Sequence, residues 1–141
     1  MKTMRWILVL PGALVATFLV AFPIHWAVMV NLGGWGEDPM VEIRDRSTLR
    51  AIEYFLQGLL GPFAFVCAGA FIAPARRLLV SIAAGLIVVL GVVCLAVWIN
   101  YLNDASFSVR YGVVNFLSNV AGAVGAILLV KHRTMSSFAA R

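Results

Sequence analysis

The charged residues of this chain leave four long intervals without any charge, and this spacing constrains the fold more than any other feature. The intervals cover residues 6–36, 54–75, 78–103 and 111–130. A helix rises about 1.5 Å per residue, so about 20 residues are needed to cross the hydrocarbon core of a bilayer, which is ~30 Å thick. Each interval is long enough for one crossing, and the spacing therefore predicts four membrane-spanning helices.

Composition argues against a bundle that is soluble in water. Apolar residues make up 62% of the chain and charged residues 12%, whereas soluble domains carry about 45–50% and about 25%. A soluble helix also needs a polar stripe at helical period, and segment 78–99 has Ser81 as its only conventional polar side chain. Spanning β-strands would alternate apolar and polar residues, but these intervals are continuously apolar.

The predicted fold is all-α: an integral membrane bundle of four transmembrane helices, built as a single domain over residues 1–141. The first span starts like a cleavable signal peptide, but its apolar stretch is longer than the ~7–15 residues of a signal, so we expect it to remain as a helix. The spans are expected near residues 6–30, 51–73, 78–100 and 111–130, with an outer loop at 31–50.

The distribution of lysine and arginine predicts that both termini are cytoplasmic, because cytoplasmic segments of membrane proteins carry an excess of these residues. In this orientation, seven basic residues lie inside: Lys2, Arg5, Arg76, Arg77, Lys131, Arg133 and Arg141. Four lie outside: Arg44, Arg46, Arg50 and Arg110. The pattern predicts a multi-pass protein of a cell inner (plasma) membrane.

The same basic residues indicate which partners to expect. The formal net charge is +5, but the cations are few and scattered, so we expect no nucleic-acid partner. Besides the lipid bilayer itself, the natural partners of cytoplasmic cations are anionic lipid headgroups. We expect headgroup contacts at Arg76, Arg77, Lys131 and Arg133.

Small residues at helical spacing predict the faces through which the helices pack. Lipid supplies no hydrophobic drive for helices to associate, so contact faces in membranes are marked by small residues. Gly61, Ala64 and Ala68 form such a face in the second span, and the fourth span has a second one at Ser118, Gly122 and Ala126. Packing within one bundle and contact between two copies in a homo-oligomer both explain these faces.

Five polar residues of the spans are candidates for a binding site open to the outside. Four of them are expected in the outer third of the membrane and Asn119 near the midplane: His25, Glu53, Gln57, Asn115 and Asn119. In a closed bundle they would line a shallow polar vestibule in which His25 pairs with Glu53. The alternative is that each side chain reaches headgroup water separately, which costs little at that depth.

The sequence favours a protein that works by association. Motifs of hydrolases, metalloproteases and nucleotide-binding proteins are absent, and the spans hold almost none of the acids and bases that an enzyme needs. We expect no cofactor and no metal, since a haem site at His25 would lack a second histidine within the spans. The first hypothesis is therefore a non-enzymatic accessory, assembly or oligomerising membrane subunit.

Two other hypotheses belong to different functional classes. The first is a small channel or transporter with a polar path along the fourth helix and a gate at the kink that Pro62 should introduce into the second. Its path would be lined by Gln57, Asn115, Ser118 and Asn119. The second is a membrane-bound enzyme or sensor that uses His25 and Glu53 near the outer surface.

Overall fold

The computed structural model of the chain describes residues 2–31, 43–102 and 109–139, and all regular secondary structure in these ranges is α-helical. The helices, in chain order, are α1 (Lys2–Asn31), α2 (Ile43–Ile72), α3 (Arg77–Leu102) and α4 (Val109–Ala139). Each includes a stretch long and apolar enough to cross a membrane: Thr3–Val30, Thr48–Ile72, Arg77–Trp98 and Gly112–Ser136. The prediction of an all-α chain with four such helices is confirmed.

Two helices extend well beyond the predicted spans. Helix α2 begins at Ile43 rather than near residue 51, and α4 continues to Ala139 rather than ending near residue 130. The span prediction measures only the stretch that fits into hydrocarbon, whereas the hydrogen bonds of a helix can continue into water. Of the predicted outer loop at 31–50, Asn31 and residues 43–50 are helical, and residues 32–42 lie outside the described part of the chain.

A tight turn joins α2 and α3. The N–H of Ala73 donates to the carbonyl of Gly69 at 3.1 Å, and the N–H of Val80 donates to the carbonyl of Arg76 at 3.0 Å, so Arg76 is the N-cap of α3. Pro74, between them, has no N–H to continue the first helix. Arg76 has a φ of 53°, a left-handed conformation that glycine adopts more easily than arginine.

Helix α2 lies at the centre of the bundle. It packs against α1, α3 and α4, and α3 also packs against α4. Within the described residues, no Cα of α1 comes within 8 Å of a Cα of α3 or α4. Helix α1 therefore rests on α2 alone. We refer to the end of the bundle with the α2–α3 turn as the turn end, and to the opposite end as the Glu53 end.

Small residues bring α2 and α4 into close contact. A Cβ on Gly122 would overlap with the carbonyl oxygen of Leu59 and lie 2.9 Å from its carbonyl carbon, and a Cβ on Gly58 would overlap with the hydroxyl of Ser118. Ser118 and Ala126 are fully or almost fully buried. Within one chain, α2 thus covers Ser118 and Gly122 of the small-residue face of α4.

The small-residue face of α2 is divided between its neighbours. Gly61 lies opposite Thr17 of α1, whose methyl group would be 3.6 Å from a Cβ at that glycine. Ala64 and Ala68 are half-buried. Helix α2 runs without interruption through Pro62.

Candidate functional site

A chain of hydrogen bonds joins α1 to α2 near the Glu53 end. The Nδ1 atom of His25 lies 2.6 Å from Oε1 of Glu53, and Nε2 of Gln57 donates to the same oxygen at 2.9 Å. Glu53 and Gln57 are four residues apart and so share one face of α2. The Glu53 side chain is 13% exposed and that of His25 is 54% exposed. One carboxylate oxygen of the nearly buried Glu53 thus contacts both Gln57 and His25, and the ring of His25 is exposed.

A second polar group lies on α4. The carboxamide nitrogen of Asn119 donates to the backbone carbonyl of Asn115 at 2.7 Å and also contacts the side-chain oxygen of Asn115. The hydroxyl of Ser118 donates to the same backbone carbonyl at 2.9 Å. Asn119 is only 8% exposed, and within the described residues no donor reaches its own carboxamide oxygen. A buried polar group without a partner is costly, so this oxygen is a candidate acceptor for a ligand or for water.

An open cavity of about 300 Å³, here the polar cavity, brings parts of both groups together. Its polar wall contains Gln57 from α2, Asn119 from α4 and Thr17 from α1. The hydroxyl of Thr17 donates to the carbonyl of Ala13 at 3.0 Å and to that of Gly61 at 3.4 Å. Thr17 was not among the predicted site residues, although a hydroxyl in the middle of an apolar span is a signal that could have identified it.

A second, apolar cavity of about 380 Å³ opens between α1 and α3 towards the turn end. Its walls are Trp6, Val9, Leu10 and Ala13 of α1, Phe65 and Gly69 of α2, and Leu79, Val80, Ala83, Ala84 and Ile87 of α3. Phe65 lines both cavities. We call the two together the lateral crevice: its walls are apolar at the turn end and include polar groups towards the Glu53 end.

The five predicted site residues form two linked groups in the structure. His25, Glu53 and Gln57 make one, and Asn115 with Asn119 makes the other. Gln57 and Asn119 face the same cavity. The other three are connected to it through these two.

Basic residues lie at both ends of the bundle, whereas the acidic residues of the described ranges lie at one end only. In the described residues, the two acidic residues, Asp45 and Glu53, both lie in the first half of α2. The basic residues at the turn end include Arg76 and Arg77, and Arg133 of α4 lies with its guanidinium 5.7 Å from the centre of the Phe71 ring. Among the described residues, the turn end therefore carries only positive charge and favours anionic groups, whereas the Glu53 end carries both signs, with Arg44, Arg46, Arg50 and Arg110 beside Asp45 and Glu53.

Comparisons with protein-family models, with curated proteins and with solved structures find no match to this chain. The polar groups can accept and donate hydrogen bonds within a cavity. Across the described residues there is no group of three histidine, cysteine or acidic side chains that could hold a metal ion.

Proposed function

We propose that the chain is a multi-pass protein of a bacterial-type inner membrane with both termini in the cytoplasm. Four helices long and apolar enough to cross a bilayer support the insertion. The orientation is supported by the lysine and arginine bias, seven residues against four. In this arrangement the turn end faces the cytoplasm, where Arg76, Arg77, Lys131 and Arg133 would meet anionic headgroups.

Within that membrane we propose that the protein works by association with another membrane-embedded helix, as a non-enzymatic accessory, assembly or oligomerising subunit. The observation that carries this proposal is the position of α1, which rests on α2 alone. Of the four apolar stretches, that of α1 is the least covered by the rest of the chain. A span with a single neighbour leaves most of its surface for a second subunit.

The outer face of α1 has the spacing that a second helix requires. Its residues are all more than half exposed and recur at steps of three, four or seven residues: Leu8, Val15, Leu19, Phe22 and Trp26. Such spacing places side chains in one seam along a helix, as in helix pairs that pack knobs into holes. Phe22 stacks between Phe18 and Trp26, with ring centres 5.6 and 6.3 Å away. We call this face the α1 seam.

Site-specific photocross-linking in native membranes tests the association. With a photoreactive phenylalanine analogue in place of Leu19, we expect an adduct heavier than the monomer, and the same adduct when Val15 is replaced. The matched control is Leu117 on α4, which is exposed to a similar degree (59% against 64%) but lies outside the seam. The adduct mass distinguishes a second copy from a different subunit. If both seam positions yield only the monomer, association through α1 is wrong.

A second candidate function is a small channel or transporter, favoured by the polar cavity. Gln57 and Asn119 face one open space, and Gln57 is joined through Glu53 to the exposed ring of His25. These contacts would form a polar path into the bundle. Pro62, which also lines this cavity, would mark its gate.

Proton permeability of vesicles containing the purified protein tests this candidate. If the path conducts, a pH-sensitive dye inside the vesicles should respond faster with the wild type than in empty vesicles. Asn119→Leu should remove the difference, because it replaces a polar wall of the cavity with an apolar one. Leu117→Ala, on the outer face of the same helix, should not. Equal rates for the wild type and empty vesicles would contradict proton conduction.

A further inference from the structure

The apolar part of the lateral crevice has the dimensions of a site for one thin hydrocarbon chain. Along α3 its lining runs from Leu79 to Ile87, which is about 12 Å at 1.5 Å per residue. One leaflet of the hydrocarbon core is about 15 Å thick. The crevice therefore follows most of one leaflet, from the turn end towards Phe65.

A helix is too wide for this space. A single turn of α-helix is about 10 Å across and 5.4 Å long, so one turn alone has a volume similar to the roughly 380 Å³ available. The crevice, however, runs for about two turns of α1 and α3. An extended acyl chain can follow that length within the available cross-section, whereas a partner helix would have to push α1 away from α3.

The mouth of the apolar cavity at the turn end is positively charged. Arg76 is the N-cap of α3 and precedes Leu79 and Val80 of the lining by three and four residues, so it lies at the turn end of the cavity. Arg5 lies one turn before Val9 on α1. Both arginines are exposed, and neither forms an ion pair within the described residues. An anionic headgroup above the crevice would meet two cations from opposite walls.

We propose that the lateral crevice binds one acyl chain of an anionic phospholipid, with the lipid phosphate held by Arg76 and flanked by Arg5. The apolar lining receives the chain, and the guanidinium groups supply charge-assisted hydrogen bonds to the phosphate. The site is on a different face of α1 from the α1 seam. It rests on the proposed membrane insertion and on the headgroup contact proposed for Arg76, but it and the association through the α1 seam can fail independently.

Native mass spectrometry measures this binding directly. The purified full-length protein is reconstituted in equal amounts of phosphatidylglycerol, which is anionic, and phosphatidylcholine, which is zwitterionic, and then released into mild detergent. We expect the wild type to retain one phosphatidylglycerol in preference to phosphatidylcholine. Arg76→Gly should lower this preference about five-fold, as expected for one arginine near an anionic surface. It should keep the fold, because glycine adopts a φ of 53° without steric cost.

Ala83→Phe provides an independent test, because it fills the crevice without changing any charge. It should abolish retention, whereas Ala121→Phe, at an exposed alanine of α4 outside the crevice, should retain the lipid like the wild type. Equal retention of the two lipids by the wild type would overturn the proposal, as would wild-type retention of phosphatidylglycerol by Ala83→Phe. A dimer that Ala83→Phe converts into a monomer would identify a second copy as the occupant and would also overturn it.

Discussion

Gly122→Ala should lower the free energy of unfolding by about 3 kcal/mol, the upper part of the range for overpacking in a core. The added Cβ would overlap with the backbone carbonyl of Leu59. A flexible side chain could rotate away, but a backbone carbonyl inside a helix can yield only if α2 and α4 move apart. That separation would also disturb the contact between Gly58 and Ser118 in the same interface.

Thermal unfolding of the purified protein in detergent checks this prediction. Gly122→Ala should reduce Tm by roughly 10 °C. The matched control is Gly91→Ala on α3, where a Cβ would meet nothing within 4 Å. That control should gain stability slightly, since alanine is favoured over glycine in helix interiors by about 0.5–1 kcal/mol. If both variants unfold at the wild-type temperature, the close approach of α2 and α4 is wrong.

Reporter fusions should give an all-or-none result for the proposed orientation. Alkaline phosphatase is active only outside the cytoplasm, so a fusion after Arg141 should be inactive and a fusion within residues 32–42 active, with a difference of roughly ten-fold or more. The physical reason is the excess of lysine and arginine on the side of both termini. An active fusion at the C-terminus would contradict the orientation.

The orientation should also depend on the turn between α2 and α3. Replacing Arg76 and Arg77 by glutamate leaves five basic residues inside against four outside, so the bias nearly disappears. We expect this double variant to show activity at both fusion sites, because chains then insert in both directions. The matched control replaces Arg44 and Arg46, which strengthens the bias and should leave the wild-type pattern unchanged.

The number of helices was predictable from the sequence because it depends on one property, the length of each charge-free interval. Helix ends were less predictable. Residues 43–50 of α2 and 131–139 of α4 include several charged or polar side chains but remain helical, so hydropathy predicts where the apolar core of a span ends rather than where the helix ends.

The neighbours of each helix could not be predicted in the same way. The composition of α1 and α3 does not distinguish a helix with one neighbour from a helix with two, so the lateral crevice has no sequence signature. Counting residues along each predicted span gives the depth of a side chain, and this count placed His25 and Glu53 at similar depths. Their 2.6 Å contact additionally depends on how α1 and α2 are rotated about their own axes, which residue counts do not determine.

The small-residue face at Ser118 and Gly122 shows what spacing alone can establish. Steps of four residues indicated that α4 has a contact face. They did not indicate which surface covers it. The carbonyl of Leu59 fills the space that a side chain on Gly122 would need. This contact depends on how α2 and α4 are placed relative to each other, and spacing within α4 does not contain that information.

The central position of α2 has a consequence for biosynthesis. Its close partner α4 is translated after α3. Until then, the surface of α2 around Gly58 and Leu59 has no permanent cover in the nascent chain. The bundle therefore closes only once α4 has been translated, and a polypeptide truncated before Val109 would keep that surface of α2 uncovered.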